Sequence, residues 1–567
     1  MSDAKSVSRP IPRLPKGFRD TFAREVLARR RTIDTIRKVY ERYGFAPLET
    51  SAIEYVEALG KFLPDVSTPA GGIFAFQDED NSWLALRYDL TAPLSRIFSE
   101  YRNEIPIPFR RYQVGVVWRN EKPGPGRFRE FYQFDIDTVG TASMAADAEV
   151  CCVLADALEA LGIKRGDYVI RVNNRKALNG VLEAAGIAFA DEETTLTVLR
   201  AIDKLDRIGI EGVKELLGKG RVEGSTPGFR VAEHVLELFK AEGLSDSVIE
   251  KLQLLKDQDF TTERELLAAL GAIAGSEPIE KIRAELLSFA RIGDFTRGAN
   301  LSGAQIQRIV DLLSVTADRR SEVCQQFAAL VGESPVGQEG VAELRDIDRF
   351  LSAVGYAEDR VIFDPTVVRG LAYYTGPVFE AALTFETADE TGQKRQFGSV
   401  AGGGRYDYLV ERFIGEKVPA TGASIGVDRL LAALAHLGKL AGVEASAPVI
   451  VTVMDQDLIL EYEKMTFALR RAGIAAEMYL GSGGFRKQMK YADEREAIVA
   501  VIAGSREFES GTVSLKDLRL GRELSKSISD RDTWLKEQGA QVTVPVADLI
   551  VEVRKILARY GLGQPEL

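Results

Sequence analysis

Two runs of alternating residues, joined by a glycine and proline turn between Phe109 and Gly140, constrain this chain more than any other stretch. In the first run Tyr112, Val114, Val116 and Trp118 fall on one side of an extended backbone, and Arg111, Gln113, Gly115, Val117 and Arg119 on the other, because neighbouring side chains of a strand point to opposite faces. In the second, Phe134 and Ile136 alternate with Gln133, Asp135 and Asp137. A helix would scatter these apolar residues round its axis, so the pattern predicts an antiparallel hairpin turning at Gly124, Pro125 and Gly126. One hairpin then carries arginines and carboxylates together.

Between residues 109 and 130 six basic side chains (Arg110, Arg111, Arg119, Lys122, Arg127, Arg129) face two acidic ones, Glu121 and Glu130. Either the arginines are solvated and paired, or the loop attracts phosphate. The order WRNE, a short loop and then RFREF resembles motif 2 of the class II aminoacyl-tRNA synthetases. That resemblance implies that Arg119 is catalytic and holds the α-phosphate of ATP, and that Glu121 and Phe131 cradle adenine. It places Arg127 among the ATP-binding residues and turns the loop toward the acceptor end of a tRNA.

A chain of 567 residues exceeds one core and predicts three or four domains. No apolar run is long enough for a membrane span, and the N-terminal stretch lacks a signal-peptide core, which predicts a cytoplasmic protein. Three cysteines without CxxC spacing and two histidines, His234 and His436, predict buried thiols, no bound metal and no histidine triad. The net charge of −11 argues against nonspecific nucleic-acid binding, so an RNA partner has to be argued from sites.

From Asp20 to Gly44 apolar residues recur at helical spacing, with Asp20 as a cap and Gly44 as a stop. With the strand-like FAPLETSAIE after it, this stretch resembles motif 1, which builds the class II dimer interface and implies a homodimer; Ser51 stands where the family usually has Pro. In LRYDLTAPLSR, Pro93 limits a strand, and Asp89 and Thr91 share one face at period two, which suits either a turn cap or a grip on an ammonium group. The segment resembles the one by which histidyl-tRNA synthetases hold the α-amino group of histidine, although many bacterial members have Glu where Asp89 stands. From about Thr195 to Val361 amphipathic helical runs dominate, which predicts an inserted helical domain. The family carries an insertion here that leans on the acceptor arm of tRNA.

In VVRGLAYYTGPVFE, Arg369 and Tyr374 would face opposite ways on one continuous strand, unless Gly370 breaks the pleat. The string resembles a signature of histidyl-tRNA synthetases. It implies that Arg369 is a second catalytic arginine at the α-phosphate, that Tyr373 and Tyr374 bind histidine, and that Tyr374 and Asp137 hydrogen-bond its imidazole. Gln133 joins Asp89 and Thr91 on the ammonium. Three glycines in GSVAGGGRYDYL fit either a tight bend or a ligand wall, and the string resembles the family's amino-acid pocket. TGASIGVDRLLAAL predicts a strand of small residues opening into a helix with Arg429 in its first turn, where backbone amides favour an anion. It resembles motif 3, whose arginine binds the γ-phosphate, with Gly422, Ser424 and Gly426 leaving room for adenine.

After LGKLAGVEASAP a clean strand and helix alternation predicts a small α/β domain. FRKQMKYADE and VSLKDL resemble the anticodon-binding domain of the histidyl, threonyl, prolyl and glycyl enzymes. Its densest basic cluster, Arg486, Lys487 and Lys490, suits a solvated helix face as well as a base-reading one. The resemblance therefore implies an α+β protein: an antiparallel class II catalytic domain (1–194 and 361–440) interrupted by a helical insertion (195–360), then an anticodon-binding domain (441–567). It implies a histidine–tRNA ligase that uses ATP with Mg²⁺ and takes histidine and histidine tRNA, the latter by its acceptor end and anticodon. The alternative is a non-catalytic paralogue that binds histidine as a regulatory subunit; such proteins tend to lose the motif arginines and the C-terminal domain, both present here.

Overall fold

In the computed structural model the two alternating runs pair as one antiparallel hairpin, Phe109–Trp118 with Glu130–Val139. The structure describes residues 11–59, 72–123, 128–187, 192–223, 294–368, 370, 374–388, 394–440, 449–527 and 540–562, so the hairpin turn at 124–127 lies outside it. The chain divides into two compact units: Thr32–His436 with the segment ending at Phe18, and Leu437–Leu567 with Arg19–Arg31.

In the first unit the hairpin sits within an eight-stranded sheet. Its strands are β1 (Ala46–Pro47), β2 (Phe109–Trp118), β3 (Glu130–Val139), β4 (Tyr168–Asn174), β5 (Val361–Phe363), β6 (Pro377–Ala388), β7 (Lys394–Arg405) and β8 (Ala420–Gly426). They lie in the order β1-β2-β3-β8-β7-β6-β4-β5, antiparallel except for the two edge pairs. Strand β3 is thus bonded along both edges. Its apolar residues Phe134 and Ile136 are fully buried. Behind them stands Tyr40 of helix Ala23–Arg42, its ring edge-on to Phe134 at 4.8 Å, with Tyr112 a further 5.9 Å from Phe134. That helix is shorter than the predicted 20–44; Gly44 ends the turn in the left-handed region (φ +79°), where a side chain is disfavoured.

One local expectation is overturned and one open alternative is decided. Asp89 and Thr91 do not share a strand face, because Thr91 opens helix Thr91–Glu100. Pro93 fits that first turn, where its missing N–H has no intrahelical partner to lose, and Asp89 Oδ1 accepts from the amides of Thr91 (3.1 Å) and Ala92 (2.9 Å). Nor do Gly402, Gly403 and Gly404 form a bend; they lie inside β7. Their bareness serves close approach instead, since a Cβ on Gly403 would stand 2.1 Å from the Gly422 carbonyl oxygen. Gly370, by contrast, does break the chain path, at φ +60° ahead of a strand that begins only at Pro377.

Helices Glu192–Ile202, Leu205–Leu217, Gly303–Leu313, Arg320–Val331 and Pro335–Ala353 occupy the helical stretch, with the strand pair Gly220–Glu223 and Asp294–Arg297. Residues 224–293 of that stretch, His234 among them, lie outside the described residues. Helix Pro335–Ala353 meets helix Arg175–Ala184 so closely that a Cβ on Gly180 would fall 2.2 Å from Gly337 Cα. All three cysteines are free and buried.

The second unit holds a five-stranded sheet ordered Ala476–Met478, Val449–Val451, Val499–Ile502, Thr512–Asp517, Gln541–Pro545, parallel in its first three strands and antiparallel after. Helices Ile459–Arg471 and Leu549–Ala558 bury Tyr462, Leu469, Val553 and Ile556 in its core. Arg486, Lys487 and Lys490 are exposed on helix Phe485–Glu494, which Gln488 ties to the sheet by donating to the Val453 carbonyl at 2.6 Å. No helix among the described residues is long and apolar enough to cross a membrane.

Candidate active site

The polar face of β3 forms the floor of the site. Register sets Arg111 beside Asp137 and Gln113 beside Asp135 across β2, and Gly422 beside Asp137 and Ser424 beside Asp135 across β8. Arg111 is fully buried, with Nη2 2.7 Å from Asp137 Oδ2 and donating to the Leu90 carbonyl at 3.0 Å. Tyr406, just after β7, donates its hydroxyl to Asp137 Oδ1. Gln133 Nε2 donates to Ser424 Oγ at 2.8 Å, and Gln113 Nε2 to Thr50 Oγ1 at 2.9 Å. Buried here without a hydrogen-bond partner are Arg111 Nε and Nη1, Gln113 Oε1, Gln133 Oε1, Asp135 Oδ1 and Asp137 Oδ2, the last in ion-pair contact with Arg111 only. Ordinary cores satisfy such atoms, so their clustering is the mark of a polar binding floor.

Burial dominates the acid chemistry of the floor. It pushes Asp135 up to about 7 and Asp137 up to about 6, against the pull of Arg111. The neighbouring charge of Asp89 adds to both rises, which places the Asp89 segment beside the floor. That segment is tied down by Arg87: its Nε donates to the Val116 carbonyl at 2.8 Å, and its own carbonyl accepts from the Trp118 amide at 3.1 Å. Asp89 thus has one oxygen spent on the helix cap and a second that the cap does not use.

Gly422 does not leave room for adenine; the Asp137 carboxyl takes that space, because a Cβ there would stand 2.1 Å from Asp137 Oδ1. Beyond it, a Cβ on Gly404 would meet the Tyr374 ring at 2.8 Å, so β7 and β8 are bare where the floor and this tyrosine come together. Arg405, next to Tyr406, is turned away into a buried pair with Asp147 and donates to the Thr141 carbonyl at 2.9 Å.

At the turn end of the hairpin, the Arg119 guanidinium lies over two rings, Tyr88 at 4.4 Å and Phe131 at 5.2 Å, with Nε buried and without a hydrogen-bond partner. Tyr88 donates to Glu121 Oε1 at 3.0 Å, and Arg129 donates to the Glu121 carbonyl at 2.9 Å. Asp428 accepts from the Tyr132 amide at 2.7 Å, which fixes the start of helix Val427–His436 against β3. Arg429 follows in that first turn, donating to the Phe397 carbonyl at 2.8 Å. The basic cluster of the hairpin is therefore split: Arg110 pairs with Glu149 at 2.5 Å and Arg111 with Asp137, while Arg119 stays among rings. Arg127, Arg369 and Tyr373 lie outside the described residues.

The structure thus brings Asp89, Thr91, Gln133 and Asp137 to one region and Arg119, Glu121 and Phe131 to another along the same strands. Sequence reasoning missed Arg111, Asp135 and Tyr406 as members of the floor. The first two were visible as polar positions of the alternating runs, but the register that pairs them depends on the turn. Tyr406 carried no signal of its own.

Residues 17–294 and 280–430 match the family model described as histidyl-tRNA synthetase, and residues 448–556 match an anticodon binding domain. The chain is 51% identical over 565 residues to the histidine–tRNA ligase of Dinoroseobacter shibae, covering 99% of this chain and 100% of that one. It is 50% identical over 564 residues to the histidine–tRNA ligase of Cereibacter sphaeroides, covering 98% and 100%. Among solved structures it resembles the histidyl-tRNA synthetase of a Nostoc species, with a TM-score of 0.64 at 28% identity, covering 96% of this chain and 100% of that one.

Proposed function

The chain belongs to the histidyl-tRNA synthetase family and is a histidine–tRNA ligase, and we propose that it recognises its amino acid on the polar floor of β3 and binds ATP at the turn end of the same hairpin. The reaction joins histidine to AMP with release of pyrophosphate, then passes the histidyl group to the terminal adenosine of the tRNA. The full-length match to ligases, with the C-terminal domain included, favours catalysis over a regulatory histidine-binding role.

The observation that carries the assignment of the floor is the buried row Gln133, Asp135, Asp137 with polar atoms that the protein itself leaves unpaired. Asp137 would accept an imidazole N–H, with Tyr374, and Tyr373 beside it, on the other side of the ring. Asp89, Thr91 and Gln133 would take the ammonium group. A floor that hydrogen-bonds both ring nitrogens rejects apolar analogues, which would leave its buried groups unpaired. The histidine carboxylate would attack the α-phosphorus of ATP, and charge growing on the phosphoryl oxygens would be met by Arg119 and Arg369 without a protein nucleophile. Phe131 and Glu121, with Arg127, would hold the nucleotide, and Arg429 its γ-phosphate. ATP would enter as its magnesium complex.

Residues 1–194 and 361–440 would carry this chemistry, 195–360 would approach the acceptor arm, and 441–567 would bind the anticodon. A homodimer in the cytoplasm completes the reading. The test is histidine-dependent ATP–pyrophosphate exchange with Asp137→Ala. Loss of a hydrogen bond to a charged group costs about 1.5–3 kcal/mol, so the histidine KM should rise roughly tenfold to a hundredfold, or exchange should vanish. Unchanged exchange would refute the assignment of Asp137.

A further inference from the structure

We propose that Arg111 is a positioning residue for histidine: clamped between the Leu90 carbonyl and the Asp137 carboxylate, it joins the strand that reads the ring to the segment that reads the amino group. The inference rests on the assignment of Asp137 and Asp89 made above.

Three observations support it. Arg111 is fully buried, and its partners sit on two different elements: Asp137 Oδ2 at 2.7 Å on β3, and the Leu90 carbonyl at 3.0 Å between Asp89 and Thr91. One nitrogen, Nη2, makes both contacts and therefore sets the spacing between the two ends of the site. The second observation concerns Asp137 itself. A carboxylate turns easily about its last torsion, but here the Tyr406 hydroxyl donates to one oxygen and the Arg111 charge stands 2.7 Å from the other, so rotation of the acid is opposed from both ends. Each oxygen still has a lone pair in hand for a third donor. The third is that Arg111 Nε and Nη1 have no hydrogen-bond partner although buried, and that Asp135 Oδ1 and Gln133 Oε1, on the neighbouring strand, are in the same condition. Arg320, also deeply buried, instead places Nε, Nη1 and Nη2 each on a partner: Asp348, the Val361 carbonyl and Ser352.

The charges facing Asp137 are Arg111 from β2, Asp135 on its own strand and Asp89 ahead of helix Thr91–Glu100, with the phenols of Tyr406 and, from behind the sheet, Tyr40. Among the described residues Arg111 is the one cation of that set, so its removal takes away the pull that opposes burial at Asp137. Asp137 would then take up a proton at higher pH and cease to accept from the ring.

Pyrophosphate exchange is measured with varied histidine and varied ATP for the parent, Arg111→Met, Arg111→Lys and Asp137→Ala. For Arg111→Met the histidine KM should rise roughly tenfold or more, with the ATP KM kept within about twofold. The acid limb of kcat/KM for histidine should move to higher pH, and Arg111→Lys should recover part of both losses. An unchanged histidine KM in Arg111→Met, with a raised one in Asp137→Ala, overturns the role of Arg111 and leaves the assignment of Asp137 standing. If Asp137→Ala is also unchanged, that assignment falls and Arg111 with it. Should Arg111→Met fail to fold, Arg111→Lys decides. It keeps the charge but sets its nitrogen short of the place of Nη2, so a histidine KM and acid limb equal to the parent's overturn the proposal, and a raised histidine KM with an unchanged ATP KM supports it.

Discussion

Replacing Gly422 by alanine is the most economical way to disturb histidine recognition without touching a polar group. The added Cβ would lie 2.1 Å from Asp137 Oδ1, 2.6 Å from its Cγ and 2.4 Å from the Ile136 carbonyl oxygen. Carbon and oxygen settle at about 3.3 Å or more, so Asp137 has to retreat by roughly 1 Å. Rotation of its side chain cannot absorb this, because the Ile136 oxygen is backbone and β3 must shift too. A displacement of that size breaks the aim of a hydrogen bond worth about 1.5–3 kcal/mol, or roughly tenfold to a hundredfold in kcat/KM for histidine at about 1.4 kcal/mol per decade. Overpacking should also lower stability by about 1–3 kcal/mol. Pyrophosphate exchange with varied histidine and then varied ATP, alongside thermal melting, reads both effects. The loss should fall on the histidine side, since Gly422 is paired with Asp137 whereas Phe131 and Arg119 belong to the turn end of the hairpin. A Gly422→Ala protein with the parent's melting temperature and histidine KM would show that Asp137 is not held where the geometry places it.

Two further outcomes are expected. Asp89→Asn keeps an oxygen for the helix cap but loses the charge, so melting should hold while the histidine KM rises; equal histidine kinetics would confine Asp89 to capping. Burial lifts Asp135 to about 7 and Asp137 to about 6, so the native state keeps protons that the unfolded chain releases near pH 4. Stability tied to these acids is present below about pH 4 and lost as pH rises through about 6 and 7. Asp135→Asn should therefore gain in melting temperature relative to the parent between about pH 5 and about pH 8, and a difference independent of pH would contradict the burial argument.

The hairpin was legible because alternation is a local property that survives any turn. The pairing of Arg111 with Asp137 was not, since it depends on a register fixed by the turn between them. Period two puts Asp89 and Thr91 on one strand face, with Pro93 as the limit of that strand, yet the same proline is at home in a first helical turn, and the structure shows the cap that the spacing also allowed. Three glycines in β7 could not be told from a bend by composition, because what they make room for belongs to β6, β8 and Tyr374. Tyr406 reaches Asp137 across the sheet from the end of β7, a contact that no local pattern announces.

Strand β3, flanked by β2 on one side and β8 on the other, has no slack along either edge. The row we assign to telling one side chain from nineteen others is therefore bolted to a neighbour on each side. Discrimination in such a machine comes from refusing to deform, and altering the amino acid it accepts would require rebuilding three adjacent strands at once.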